Sequence, residues 1–389
     1  GRFMLWDNMR AIDYLQSRDD IDAGRIGVTG NSGGGTQSSH LVALDDRVAC
    51  AAPSCYITTY IREMGYKNPP DAEQCIYGQL GYGMDKTEYT FMRAPAPVRV
   101  CAAVHDTLFS IEGARESVAL ARTVFERLGA PDAVELVEDD VPHRWSPKLR
   151  TASIEWMNRH LRGADAPFDA PDDLPAPPPP EQLQATPKGQ TLLIEGARSG
   201  YDLVREQAAR LAEARRRRGA LSAEDLRTAV RRRAVIRPLA ELPAIEARCC
   251  EEIARPWGEI RKVLFEVEPD LVLPALHYRP HEPTGAPAIV VDGRGKAICH
   301  DEAEAMAKEG RAALAVDLRC FGETESSHRQ QHGCESRDEC EATLLYLLGH
   351  TLVGERAEDI LVCARWLSEQ YAARRSEEHT SELQSLLII

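Results

Sequence analysis

No apolar run in this 389-residue chain reaches the ~20 residues that cross a bilayer as a helix, which argues against a membrane span. Positive charge is also short. Lys and Arg number 47 against 61 Asp and Glu, a formal net charge of −14. That balance argues against nucleic acid or an anionic membrane surface as a main partner. Cysteines are present but unpaired in pattern: eleven are scattered with no CxxC, and Cys249 and Cys250 are adjacent. An odd count fits a disulfide framework poorly, so reduced, mostly buried thiols are expected. His332, Cys334 and Cys340 fall near one another, but not at a zinc-ligand spacing. The chain also opens without an initiator Met or a signal-peptide pattern. "GRFMLWDNMRAIDYL" reads as the middle of an amphipathic helix, so a piece of a longer protein is expected and no compartment is assigned.

What is there is an alternation. A helix is expected over 5–16, a short apolar strand at "RIGVTG", and a helix over 34–44. Continuous apolar strands follow at 48–55 and 96–104, then a long helix ending at Gly129, a strand at 133–139 and a helix ending at Gly163. Strands alternating with helices of this length predict an α/β fold with a parallel sheet covered on both faces. "APFDAPDDLPAPPPPEQL" is too rich in proline for a helix or central strand and reads as a linker. Residues 200–235 read as charged helices, the second one capped by Ser222, whose arginines line a solvated face. From 263 a βαβ pattern is expected again, through "PAIVVDGRGK", "AALAVDLRCFGETES" and a last helix over "GERAEDILVCARWLSEQ". The tail "RSEEHTSELQS" resembles a translated sequencing adapter, and 375–389 are set aside as non-native.

The chemistry gathers at "GNSGG". Gly30-Asn31-Ser32-Gly33-Gly34 fits G-x-S-x-G and lies between an apolar strand and a helix, where that motif makes a sharp turn exposing the serine. Gly30 and Gly34 leave room for strand and helix to approach. Ser32 then stands at a helix N-terminus, where the Gly33 N–H faces a developing oxyanion. Two other glycine-rich turns are excluded. Gly35-Thr36 lacks the P-loop lysine, and "GVTGNSGGG" never supplies G-x-G-x-x-G. A serine hydroxyl needs a base and a group to orient that base. Asp106 follows the strand ending at 104, and His143 sits between the next strand and helix, which gives the order Ser, Asp, His. His105 precedes the acid and is out of order. Glu138, Asp139 and Asp140 are rival acids, set too close along the chain to His143. No metal or organic cofactor is required.

At these residues the chain resembles a known group. "GNSGGGTQSSHLVALDDRVACAAPSCYITT", "RAPAPVRVCAAVHDTLFSIEGARES" and "PHRWSPKLRTASIEWMNRHL" are similar to the C-terminal half of an α/β-hydrolase of the acetyl xylan esterase-like group. The resemblance implies Ser32 as nucleophile, Asp106 as acid and His143 as base. It also implies a serine esterase removing acyl groups, commonly acetyl, from a small-molecule or carbohydrate ester. A prolyl-oligopeptidase-type peptidase shares this fold and triad. A non-catalytic hydrolase-like fragment is the third alternative. "AIVVDGRGKA" and "AVDLRCFGETES" resemble the N-terminal half of the same fold, with the loop that carries the second oxyanion donor. The expected organisation is therefore 1–165 as one half-domain, 166–258 as linker and charged helices, 259–374 as half of a second domain, and 375–389 as tail. Strands within 263–317 could rebuild one permuted sheet with the first half, so that Gly293, Arg294 or Gly295 offers an N–H to Ser32.

Overall fold

"VACAAPS" and "VRVCAAVH" hold almost no charge, and a strand of that composition needs cover on both faces. Both become central strands of a parallel sheet. The computed structural model describes residues 2–66, 70–71, 74–168, 176–325, 338–372 and 387–388. These fall into two units: residues 1–75 with 83–226, and residues 76–82 with 227–389.

The first unit runs α1 (Arg2–Gln16), β1 (Ile26–Asn31), α2 (Gly33–Leu44), β2 (Val48–Ser54), α3 (Tyr60–Tyr66), β3 (Val98–His105), α4 (Ile111–Arg127), β4 (Val134–Pro142) and α5 (Pro147–Met157). Its four strands are all parallel, in the order β1-β2-β3-β4. Ile12 of α1, Leu41 and Val42 of α2, and Val118, Ala121 and Phe125 of α4 pack with Val48, Ala51, Val98 and Val100 of the sheet. Leu149, Ala152 and Trp156 of α5 pack with the other set of strand residues, Cys50, Ala52, Cys101 and Ala103. Helices thus cover both faces, as expected. Gly129 takes φ 73° after α4, and Gly163 takes φ 65° after α5, as helix-ending glycines do. Beyond Gly163 the described residues of the proline-rich stretch carry single turns up to α6 (Gly200–Arg218) and α7 (Ala223–Ala234). Ser222 Oγ accepts the Asp225 N–H at 3.1 Å, the cap expected there.

The second unit departs from the expected βαβ run. β5 (Glu246–Arg255), β6 (Gly258–Glu268) and β7 (Leu271–Pro280) form an antiparallel meander. The physical signal is the period of two along β6, whose buried and exposed residues alternate, and the tight turn at Asp270, which takes φ 65°. β5 lies in the stretch read as linker and charged helices. The parallel pattern resumes with β8 (Ala288–Val290), α8 (His300–Lys308) and β9 (Ala313–Val316), followed by α9 (Glu339–Leu348) and α10 (Leu352–Ala372). Alternate faces of this sheet bury α10 through Val362 and Leu367, and α8 through Ala303 and Ala307.

The sheet order is β10-β8-β9-β7-β6-β5, where β10 is Leu387–Ile388. Among the described residues β8 pairs with β9 and β10, and β1 with β2. The rest of the tail, 375–386 and 389, lies outside the described residues, as do His332 and Cys334. Nine described cysteines are free and five of those are buried, whereas Cys340 is disulfide-bonded, against the expectation of reduced thiols throughout. Among the described residues no helix is long and apolar enough to cross a membrane.

Candidate active site

Each strand of the first sheet ends in one residue of interest: Ser32 after β1, Cys55 after β2, Asp106 after β3 and His143 after β4. All four strands are parallel, so the four residues share the carboxyl edge, where open α/β sheets place their sites. The register ties them together. Asn31 pairs with Ser54, Ser54 with Cys101, and His105 with Pro142.

Ser32 takes φ 57° and ψ −119°, a conformation that side chains rarely adopt and that costs about 1–3 kcal/mol. Its N–H donates to Ser54 O at 2.9 Å, and its carbonyl accepts the Thr36 N–H at 2.9 Å. These bonds hold the turn, so the strain persists at the carboxyl end of the strand. A Cβ on Gly30 would lie 2.6 Å from Gly34 C and O, so strand and helix touch there through backbone alone. The second close approach is at Gly35, where a Cβ would meet Ser54 O at 2.5 Å and Tyr56 Cβ at 2.9 Å. Gly34 was expected to share this role, yet its own Cβ would point into open space. Gly33 opens α2, and the N–H of a first helical residue has no acceptor within its helix. The substitution Gly30→Ala is expected to cost about 1–3 kcal/mol by overpacking. A denaturant titration checks this, and Gly34→Ala, with nothing to clash against, serves as the matched control.

Asp106 is buried at 3% exposure and fully engaged. Its Oδ1 accepts the Leu108 N–H at 2.8 Å and the Phe109 N–H at 3.1 Å. Its Oδ2 lies 2.7 Å from His143 Nδ1. It is not a helix cap. Ser110 caps α4, accepting from the Gly113 N–H. His143 is half-buried, and the hydrogen bond to Asp106 raises its pKa above the ordinary 6.5, against a smaller opposing effect of burial. The Phe109 ring lies 5.7 Å from the imidazole. Among the described residues neither Ser32 Oγ nor His143 Nε2 has a hydrogen-bond partner.

The rival residues are engaged elsewhere. His105 pairs with Asp140 at 2.6 Å on the surface, Glu138 with Arg115 at 2.6 Å, and Asp139 Oδ2 accepts from Ser146 Oγ at 2.5 Å. The offered second oxyanion donors fall in the second unit. Arg294 gives its N–H to Asp292 Oδ1 at 2.8 Å, and Gly295 gives its N–H to Asp292 O at 2.9 Å. Gly293 belongs to the same turn, whose strand β8 lies in the other sheet.

Sequence reasoning missed what lies beneath the edge. Lys86 is fully buried, 2.7 Å from Glu63 Oε2, with its ammonium 4.5 Å from the Tyr56 ring centre and 4.8 Å from that of Phe109. Burial pushes the Glu63 carboxyl up, and Lys86 opposes that push. A lysine in a loop carries no sequence signal of burial, because its partners come from α3 and from the strand ends. Cys55 is one of the free, buried thiols. In the structure its Sγ, the Asp106 carboxylate and the His143 ring nitrogen lie within 4.8 Å of one another.

No protein-family profile matches the chain. It is similar to the Bacillus subtilis protein YtaP, which carries a provisional designation as a hydrolase, with 27% identity over 159 residues. That similarity covers 41% of this chain and 53% of YtaP, so the chain spans about half the length of this curated relative. Among solved structures it is similar to a glucuronoyl esterase of Caldicellulosiruptor kristjansonii (19% identity, TM-score 0.35, covering 43% of this chain and 53% of that one). It is also similar to the methylesterase BT1017 (24% identity, TM-score 0.32, covering 41% and 35%). A third is the Pyrococcus furiosus esterase Pf2001 (18% identity, TM-score 0.30, covering 40% and 62%). Nothing in the site assignment rests on these three structural likenesses.

Proposed function

We propose that this protein is a serine hydrolase of carboxylic esters, working through an acyl-enzyme, with an acetylated carbohydrate as the substrate class. The observation that carries the reading is the 2.7 Å contact of Asp106 with His143 on the sheet edge that also ends in the strained Ser32. The similarity to a hydrolase supports it.

The chemistry follows from the roles. Asp106 accepts the Nδ1–H of His143 and fixes the tautomer in which Nε2 is a free base. Nε2 takes the Ser32 proton as Oγ attacks the ester carbonyl. Contacts of this kind often tighten only when substrate arrives. The Gly33 N–H and the positive end of α2 stabilise the oxyanion. His143 gives the proton to the leaving alcohol, then activates water to release the acid. The second donor is proposed to come from chain of the N-terminal half-domain type, since in the second unit Arg294 is committed to its own turn. In the same reading, 1–165 and 259–374 belong to two hydrolase domains in tandem, joined by 166–258.

The test is a substrate panel on the purified chain: p-nitrophenyl acetate, an acetylated xylo-oligosaccharide and a proline-linked aryl amide. Turnover of the first two without the third is expected. Cleavage of the amide at a comparable kcat/KM would favour the peptidase instead, and no turnover of any would sink the hydrolase reading for this chain.

A further inference from the structure

We propose that Cys55, Asp106 and His143 form a binding site for a borderline-soft divalent cation, with zinc as the fit, and that the bound ion switches the His–Asp pair off. The reasons begin with placement. Three successive strand ends present a thiol, a carboxylate and an imidazole, with donor atoms all within 4.8 Å of one another. Zinc takes this mixture of ligands at about 2.0–2.3 Å, so the sulfur draws in by on the order of 1 Å, while Asp106 Oδ2 and His143 Nδ1, 2.7 Å apart, spread to admit the ion. Calcium and magnesium want several oxygen ligands and find one carboxylate here.

The second reason is that the thiol is held, not free to swing. Cys55 takes φ 48°, and its N–H donates to Cys101 O at 2.9 Å. Its thiol donates to Arg144 O at 3.5 Å, on the loop that carries His143. Cys55 and Asp106 are both nearly inaccessible, at 2% and 3%, while the imidazole keeps an open side. A bound ion would thus have three buried or half-buried protein ligands, the number an open zinc site uses. Hydrolysis makes no use of the Cys55 thiol, which also packs with Cys101, Ala103, Leu149 and Ala152.

The Cys55 S–H gives its proton to solvent and forms the sulfur–metal bond. The imidazole nitrogen facing Asp106 is Nδ1. Its proton leaves and the lone pair takes the ion, while a proton from water settles on Nε2. The imidazole stays neutral, and one proton is released for each ion bound. The ring now carries hydrogen on the nitrogen that should be the base, so it cannot accept the Ser32 proton. This last consequence rests on the proposed role of His143; occupancy of the site does not.

The experiment uses the full chain, stripped of metal by a chelator. Cobalt(II) alone is added first. The expected result is a sulfur-to-cobalt charge-transfer band with the visible spectrum of a tetrahedral ion, both lost in Cys55→Ser and in Cys55→Ala. The exposed Cys249 and Cys250 are common to all three proteins, so they drop out of the difference. Zinc is then titrated against p-nitrophenyl acetate hydrolysis, each protein being referred to its own zinc-free rate. The concentration for half-inhibition is expected to rise at least tenfold in both variants. No charge-transfer band in the parent chain, or identical bands in all three, overturns the site. A band lost in the variants with unchanged zinc sensitivity overturns the switch. Absence of any zinc-free turnover counts against the hydrolase reading, and the cobalt arm still decides the site.

Discussion

Replacing Ser32 with alanine is expected to lower kcat on p-nitrophenyl acetate by roughly 10⁴–10⁶-fold, with KM changed far less. An ester carbonyl needs a nucleophile, and among the described residues at this edge Ser32 is the one hydroxyl on a turn whose backbone is held strained. The turn is supported by main-chain bonds from Ser54 and Thr36 and by the close approach at Gly30, none of which uses Oγ. Alanine at 32 bears the same φ of 57° that serine already bears, so the elbow keeps its shape and only the oxygen is lost. The variant should therefore unfold at the same denaturant concentration as the parent. Initial rates and a denaturant titration on the same preparation separate loss of chemistry from loss of fold. A Ser32→Ala protein that hydrolyses at more than a hundredth of the parent rate would remove Ser32 from the mechanism.

Asp106→Asn carries the second large effect, a fall in kcat of about 10⁴-fold. The amide can still accept the Leu108 and Phe109 N–H groups, so the loop after β3 is retained. What fails is the bond to His143. An amide NH₂ facing Nδ1 turns the imidazole to the wrong tautomer, and the carboxylate that favours the imidazolium is gone. The pH dependence gives the sign. In the parent the hydrogen bond to Asp106 raises the His143 pKa above 6.5, so the acid limb of kcat/KM should have its midpoint above 6.5. The base works only when neutral, and activity climbs as pH rises through that midpoint. In Asp106→Asn the raising interaction is removed while burial still lowers the value, so the residual limb should move to lower pH. A limb that stays in place would show that Asp106 does not tune the base. Residues that act as a unit are also non-additive. Ser32→Ala combined with Asp106→Asn should be no slower than Ser32→Ala alone.

Much of this was legible in the chain because the signals are local. The glycines around Ser32, the apolar runs of β2 and β3, and the turn residues after Leu128 and Leu161 each act within a few positions. Asp106 and His143 could be chosen by order along the chain, because parallel strands put every strand-to-helix loop on one edge. What could not be read depends on partners distant in sequence. Lys86 is buried by α3 and by rings from two strand ends, and nothing near it in the chain says so. Cys55 meets Asp106 only because β2 and β3 are neighbours in register. Gly35 is required by the carbonyl of Ser54, nineteen positions on, so Gly34 seemed the better choice. The antiparallel β6–β7 pair was missed for a different reason. Its apolar density matched that of a buried strand, and the alternation that separates the two cases was outweighed by the parallel pattern around it.

In the proposed mechanism Ser32 Oγ becomes a nucleophile because His143, held by Asp106, takes its proton. The most direct measurement is covalent capture by a fluorophosphonate, with the modified residue located by peptide mass spectrometry in the parent chain and in His143→Ala. One adduct is expected, on the peptide carrying Ser32, formed far more slowly in His143→Ala. An adduct on another serine, or equal labelling of Ser32 in both proteins, would contradict it.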